Sequence, residues 1–366
     1  MKLHILHTES SLGWGGQEIR ILEEARCLHA RGHRLQLVCP ADATILEEAK
    51  RYGVTAHPLP IGRKNIRGLL AMRHWLANHP PDVVNTHSST DSWLAALACA
   101  TLAHPPAIVR TRHISAQVSN SLANRWLYTR APRRVVTTGE SLRQQLLTEL
   151  GSPAQGILSV PTGIDPTRFL PGERAVARQK LGLPLDARYV GIVATLRSWK
   201  GHLYLLEAMA RLPDPHLQLL VVGEGPMRQP ITDRVTQLGL EERVRLVGRQ
   251  EKPEEWLQAM DLFCLPSYAN EGVPQAILQA MFAALPIITT PVGAIGEAIR
   301  HQVTGIMVPP REEEALAAAI HTLLADPEAA NRLGLAAREE ALARFGLDAM
   351  ATAMEQVFMT AAGAMD

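Results

Sequence analysis

Short apolar runs alternate with amphipathic stretches along the whole chain. Leu3–Leu6 reads as a strand, and Gln17–Arg31 reads as a helix with Ile19, Leu22, Ala25 and Leu28 on one stripe, stopped by Gly32. Leu35–Cys39 is the next strand, and the rhythm recurs at Val83–Val84, Ile108–Val109 and Val135–Val136. Apart from His4 and Gln36 these runs are apolar rather than alternating, as expected of strands covered by helices on both faces. A doubly wound α/β domain follows. Between 150 and 172 the pattern breaks, where Gly151, Pro153, Gly156, Pro161, Gly163, Pro166, Pro171 and Gly172 crowd together and predict a crossover. A second series then places strands at Tyr189–Ala194, Leu217–Val222, Val244–Val247, Leu262–Cys264, Ile287–Thr289 and Gly305–Val308. The expected architecture is two Rossmann-like domains, 1–165 and 166–347, with a ligand cleft where the strand C-termini face each other.

Composition narrows the classes. A chain of 366 residues exceeds one ordinary core, and 46% hydrophobic with 20% charged residues excludes disorder. Only 4% are aromatic, which disfavours an all-β design. A formal net charge of +1 speaks against a dedicated nucleic-acid binder. That balance hides an asymmetry. Residues 1–165 carry 18 Lys/Arg and 12 Asp/Glu, a net of +6, and the rest carry 19 and 24, a net of −5. From Ala49 to Gly139 the only acids are Asp82 and Asp91, against twelve Lys/Arg. Such a stretch is either a solvated basic face or a surface for something anionic: a phosphorylated acceptor, a lipid head group or a membrane. Cys27, Cys39, Cys99 and Cys264 lack metal-ligand spacing and read as small buried hydrophobes in a reducing compartment. With no signal-peptide pattern at the start and no apolar run of spanning length, the expectation is a soluble cytoplasmic protein, at most peripheral at the inner face of a membrane.

Three segments carry candidate chemistry. Thr8–Glu18, with Gly13, Gly15 and Gly16, is a glycine-rich turn from strand to helix, where backbone amides can approach a phosphate. It is not GxGxxG, and the next strand ends Val38-Cys39-Pro40 without an acid, which weakens a dinucleotide reading. Val193–Gly201 sets two cations, Arg197 and Lys200, at the start of a helix, where a bound anion would explain them; the bland reading is a solvated turn. Leu265–Met281 runs from a strand end through Glu271 into a helix starting near Pro274, with Gln279 inside it.

This last segment, Pro266-Ser267 followed by Glu271-Gly272 and a polar residue eight positions after Glu271, resembles the signature of family 4 of the retaining glycosyltransferases, of GT-B architecture. The likeness extends over nearly the whole chain. Pro161-Thr162-Gly163-Ile164-Asp165 with Phe169 is similar to the family's crossover, and Val222-Gly223-Glu224-Gly225-Pro226 to its Val-Gly-x-Gly-Pro strand end. Gly15-Gly16 and Lys200-Gly201 match its first-loop glycine pair and its Lys-Gly turn. The resemblance implies a helix at 348–366 packed back on the first domain. It implies a nucleotide-sugar donor, most commonly a UDP-sugar, held by the second domain, with Lys200 on the diphosphate and Glu271 on hydroxyls of the sugar. Gly272, Val273, Pro274 and Gly223 would line the donor, the Gly15 and Gly16 amides would close on the diphosphate, and His87, after the strand Asp82–Thr86, would touch the sugar. An acceptor that is a glycan or a lipid-linked glycan of the bacterial envelope, of the lipopolysaccharide type, fits the same resemblance.

Two positions depart from the family. Gln279 stands where its second glutamate would grip the ribose, losing a charge-assisted bond. Thr195 stands where it has a phosphate-binding arginine, and Arg197, two residues on, replaces it if the backbone there is extended. No Asp-x-Asp occurs, so neither a metal nor a cofactor is expected. Lys200→Ala is expected to depress turnover and leave the melting temperature nearly unchanged. A sugar-nucleotide epimerase, a nicotinamide oxidoreductase and a non-catalytic carbohydrate-binding relative are the alternatives.

Overall fold

The computed structural model describes residues 1–114, 116–150, 156–269 and 271–363; Gly151 and Pro153 of the expected crossover, and Asn270 of the third segment, lie outside them. The chain forms two compact units. One comprises residues 1–163 with 347–366, the other residues 164–346.

The first unit alternates β1 (His4–Thr8), α1 (Gly16–Ala30), β2 (Arg34–Cys39), α2 (Thr44–Arg51), β3 (Thr55–Pro58), α3 (Ile66–Asn78), β4 (Val83–Thr86), α4 (Ser89–Cys99), β5 (Ala107–Arg112), α5 (Leu122–Thr129), β6 (Arg134–Thr137), α6 (Glu140–Leu150) and β7 (Ile157–Ser159). Every pairing is parallel, in the order β3-β2-β1-β4-β5-β6-β7. The order reverses between β1 and β4, which is the switch point where open α/β sheets bind ligands beyond their strand C-termini. Two strands escape the apolar pattern. β3 reads Thr-Ala-His-Pro and is half-exposed at the sheet edge, and β7 falls inside the Pro/Gly-rich stretch read as crossover.

The second unit continues with α7 (Arg174–Leu181), β8 (Arg188–Val193), α8 (His202–Ala210), β9 (Leu217–Val222), α9 (Arg228–Gln237), β10 (Val244–Gly248), α10 (Pro253–Ala259), β11 (Leu262–Leu265), α11 (Gln275–Phe282), β12 (Ile287–Thr289), β13 (Ile306–Met307), α12 (Glu313–Ala325) and α13 (Pro327–Arg344). Its sheet is also parallel, β10-β9-β8-β11-β12-β13, and again reverses beside its first strand.

Helix α14 (Leu347–Ala361) belongs to the first unit. Its Met350, Met354, Val357 and Phe358 join Ile21, Leu22, Ala25 and Leu28 of α1 in one core. The fully buried Arg20 guanidinium donates to the Val160 carbonyl at 2.8 Å and to Thr162 Oγ1 at 3.2 Å, and its Nε stands 3.7 Å from Glu24. A charge this deep holds only while its partners stay in place. It thereby fixes the 160–162 segment against α1.

Candidate active site

In the second unit, the loops after β8, β9, β11 and β12 meet backbone to backbone at the strand C-termini. Gly201 takes φ +80°, and a Cβ there would stand 2.0 Å from the Pro266 carbonyl oxygen. At Gly223, φ +147°, a Cβ would stand 1.9 Å from the Ala194 carbonyl oxygen. Gly293 is in the same position against the Glu271 carbonyl. Only glycine allows both the dihedral and the approach. The Tyr268 amide donates to the Trp199 carbonyl at 2.8 Å and the Leu196 amide to the Glu224 carbonyl at 3.0 Å, tying the loops together.

That frame brings Lys200 and Glu271 together across 71 residues of sequence. Lys200 Nζ donates to Glu271 Oε1 at 2.7 Å and to Oε2 at 2.9 Å, and Ser267 Oγ donates to Oε1 at 2.6 Å. Glu271 is 4% exposed and Ser267 fully buried. The pair makes the expected stability of Lys200→Ala untenable. Removing the ammonium would strand a buried carboxylate, at a cost of about 3 kcal/mol. Gly272, Val273 and Pro274 are buried beside it and lead into α11, whose Gln279 is 7% exposed with a side-chain amide bonded by no described residue. Under the loop sits His202, buried, its pKa pushed down to about 4 by burial and by the Lys200 charge.

Thr195 and Arg197 do not behave as an extended pair. The Arg197 amide donates to the Thr195 carbonyl at 2.7 Å, a tight turn around the buried Leu196, so the same-face argument fails there. Arg197 is exposed, its guanidinium 5.8 Å from the Trp199 ring centre.

The first unit holds its switch point differently. Gly13, Gly15 and Gly16 all lack positive φ, and Gly15 is extended at φ −172°, so the loop does not need glycine for its dihedrals. Side chains fix it instead. Buried Asp91 accepts from Thr8 Oγ1 at 2.7 Å, the His87 amide at 2.9 Å, the Ser88 amide at 2.9 Å and Ser10 Oγ at 3.2 Å. Buried Glu9 accepts from the Ser11 amide at 2.7 Å, and from Gln17 and Ser88. Burial, and then the neighbouring Glu9 charge, push Asp91 and Glu18 up to about 7.

Beside this network lie three histidines on adjacent strands. His7 is on β1, His87 follows β4 and His113 follows β5. His7 Nδ1 is 3.0 Å from His87 Nε2, and His87 Nδ1 is 3.0 Å from His113 Nε2. Burial pushes His7 down to about 3. It also holds His87 and His113 well below 6.5, with the Arg20 charge acting in the same direction on both.

Comparison with known proteins now decides the family. Residues 14–168 match the model of glycosyltransferase family 4, and residues 173–340 the model of glycosyl transferases group 1. The chain belongs to the group 1 glycosyltransferases. This glycosyltransferase is 28% identical to a D-inositol 3-phosphate glycosyltransferase of Thermobispora bispora over 95% of its chain and 90% of the relative. It is 34% identical to that of Nocardia farcinica over 60% of its chain, and the match spans 51% of that relative. Its fold is that of Anabaena HepE solved with UDP-glucose, with a TM-score of 0.86 and 21% identity over 98% of the chain and 100% of HepE. Two Rossmann-like units of this kind in one chain constitute the GT-B architecture.

Within the glycosyltransferase, Lys200, Glu271 and Gln279 sit at one sheet edge of the second unit, while His87, Gly15 and Gly16 sit at the edge of the first. His87 cannot offer a free nitrogen to a ligand, since His7 and His113 engage both. The sequence reading missed His7 and His113. The available signal was positional: His113 follows its strand as His87 follows its own.

Proposed function

We propose that this glycosyltransferase transfers a sugar from a nucleotide-sugar, in the first place a UDP-sugar, to a glycan or lipid-linked acceptor with retention of configuration and without a metal. The Lys200–Glu271 pair carries the reading. An incoming diphosphate competes for the Lys200 ammonium and releases the Glu271 carboxylate to accept from sugar hydroxyls, with Ser267 still bonded to it. As the glycosidic bond breaks, negative charge grows on the leaving diphosphate, and Lys200 and loop amides stabilise it more than they stabilise the ground state. The departing phosphate oxygen takes the acceptor proton, so no protein base is assigned. The open amide of Gln279 serves a ribose hydroxyl. A thermal-shift panel of UDP-, GDP-, ADP- and dTDP-sugars tests this: one donor at a hundred times its Kd adds about 2.7 kcal/mol of stability. No shift with any of the four overturns it.

For the acceptor, the basic first unit favours an anionic glycan or lipid at the cytoplasmic face of the membrane, in envelope polysaccharide synthesis. Ile66 and Leu70 on α3, Leu97 on α4 and Leu122 on α5 are exposed, with Arg67, Arg73 and Arg125 among them. Among the described residues no helix is long and apolar enough to cross a membrane. Salt-sensitive copelleting with anionic but not neutral vesicles is the expected result; none with either removes the membrane.

A further inference from the structure

Arg110 and Arg112 stand two residues apart on β5 and so project from one face of the sheet, where both meet Tyr128 of α5. Arg110 Nη2 donates to the Tyr128 hydroxyl oxygen at 2.9 Å, and Arg112 Nη1 donates to the same oxygen at 2.7 Å. Their guanidinium carbons lie 4.1 Å and 5.9 Å from the Tyr128 ring centre. Arg110 is 6% exposed and Tyr128 4%. Two positive charges thus converge on one neutral oxygen in a buried place. Arginine side chains stay charged in proteins, so such an arrangement calls for a negative partner.

The chain supplies none. Among the described residues neither guanidinium pairs with a carboxylate, and Nε and Nη1 of Arg110 are buried without an acceptor. Arg112 Nη2 donates to the Ala116 carbonyl. The two acids between Ala49 and Gly139 are already taken. Asp82 accepts from the His4 amide at 2.7 Å, and Asp91 is committed to Thr8, Ser10 and the His87 and Ser88 amides. The Tyr128 oxygen uses both its lone pairs on the arginines, and its own O–H donates to no described residue. Three donors without acceptors are left at one spot: Nε and Nη1 of Arg110 and the Tyr128 hydroxyl.

We propose that Arg110, Arg112 and Tyr128 form an oxyanion site of the first unit that takes a phosphate group, free or as the head of a larger ester. Guanidinium forks match the paired oxygens of a phosphate. Arg112 is half-buried, and the ligand enters on its flank. All three residues belong to one unit, and the site depends neither on the donor nor on the transfer reaction.

The test titrates the full-length protein, without donor, with inorganic phosphate or glycerol 3-phosphate against chloride at equal ionic strength. A saturable rise in melting temperature is expected, roughly 5–10 °C at a hundred times the Kd. A response to both probes makes it a phosphate-ester site, and a response to inorganic phosphate alone makes it a site for the free ion. No response to either overturns the proposal. Arg110→Met should abolish the rise and, in phosphate-free buffer, melt no lower than wild type, because a charge without a partner has been removed. Lys200→Ala, in the other unit, should keep the rise. A rise that survives Arg110→Met makes that arginine merely structural and overturns the proposal. Should Arg110→Met not fold, Arg112→Gln at the half-buried position decides. Phosphate affinity about 10- to 100-fold weaker is expected, the usual worth of a charge-assisted bond, and unchanged affinity overturns the proposal.

Discussion

The two units share one strand order about their switch points but secure them by opposite means. In the second, backbone packs on backbone. Gly201, Gly223 and Gly293 put main chain against main chain, and a single ion pair occupies the middle. In the first, side chains do the holding. Asp91 and Glu9 gather the loops, three histidines hydrogen-bond in a row, and the glycines of the first loop are in ordinary conformations. Backbone locks tolerate almost no substitution at their contact points, whereas side-chain locks divide their strength over many bonds.

The largest effect expected is from Gly201→Ala. The left-handed backbone and a Cβ 2.0 Å from a carbonyl oxygen together cost about 3–5 kcal/mol. A melting temperature within a degree of wild type would break the backbone-lock account. Lys200→Ala comes next, with kcat down about 10²–10³-fold and about 3 kcal/mol of stability lost. Adding Glu271→Gln to it should recover much of the stability and none of the activity, as measured by denaturant unfolding and turnover. In the first unit, Asp91→Asn should cost about 2 kcal/mol by leaving buried donors ill-matched.

His202 supplies a pH test in the second unit. Its folded pKa is depressed to about 4, so its contribution is complete above the unfolded value of 6.5 and is lost as pH falls from 6.5 toward 4. Across that window the slope approaches roughly 1.4 kcal/mol for each pH unit, and a His202→Phe variant should lack that acid limb. In the first unit the depressed histidines act in the same direction, while Glu18, Glu24 and Asp91, raised to about 7, lose stability as pH rises from their unfolded values. The two trends oppose, so hydrogen exchange in β1 and β4 should vary less with pH than in α8. The smallest effect is from Gly13→Ala. Its Cβ would lie 3.5 Å from Ser11 Oγ, an ordinary contact, and a change beyond about 1 kcal/mol would count against the side-chain lock.

The sequence made the fold legible wherever strands are buried on both faces, since β1, β2, β8, β9 and β11 are built around apolar centres. It hid β3, half-exposed at an edge, and β7, masked by neighbouring Pro and Gly. The individual site residues Lys200 and Glu271 were visible as loop cations and acids, but their bond spans 71 positions and no local pattern encodes it. Arg197 was judged by the alternation of an extended strand, and the turn at Leu196 removes that premise. The histidine row was invisible because its members come from three strands whose adjacency is a property of topology.

Helix α14 has a consequence for how the protein is made. The core around α1 draws Met350, Met354, Val357 and Phe358 from the end of the chain, and Phe358 stands edge-on to His7. During synthesis the second unit, residues 164–346, is therefore complete before the first can close. Until residue 361 emerges, the apolar stripe of α1 waits uncovered, and a chain truncated before α14 would meet the cell with that stripe bare.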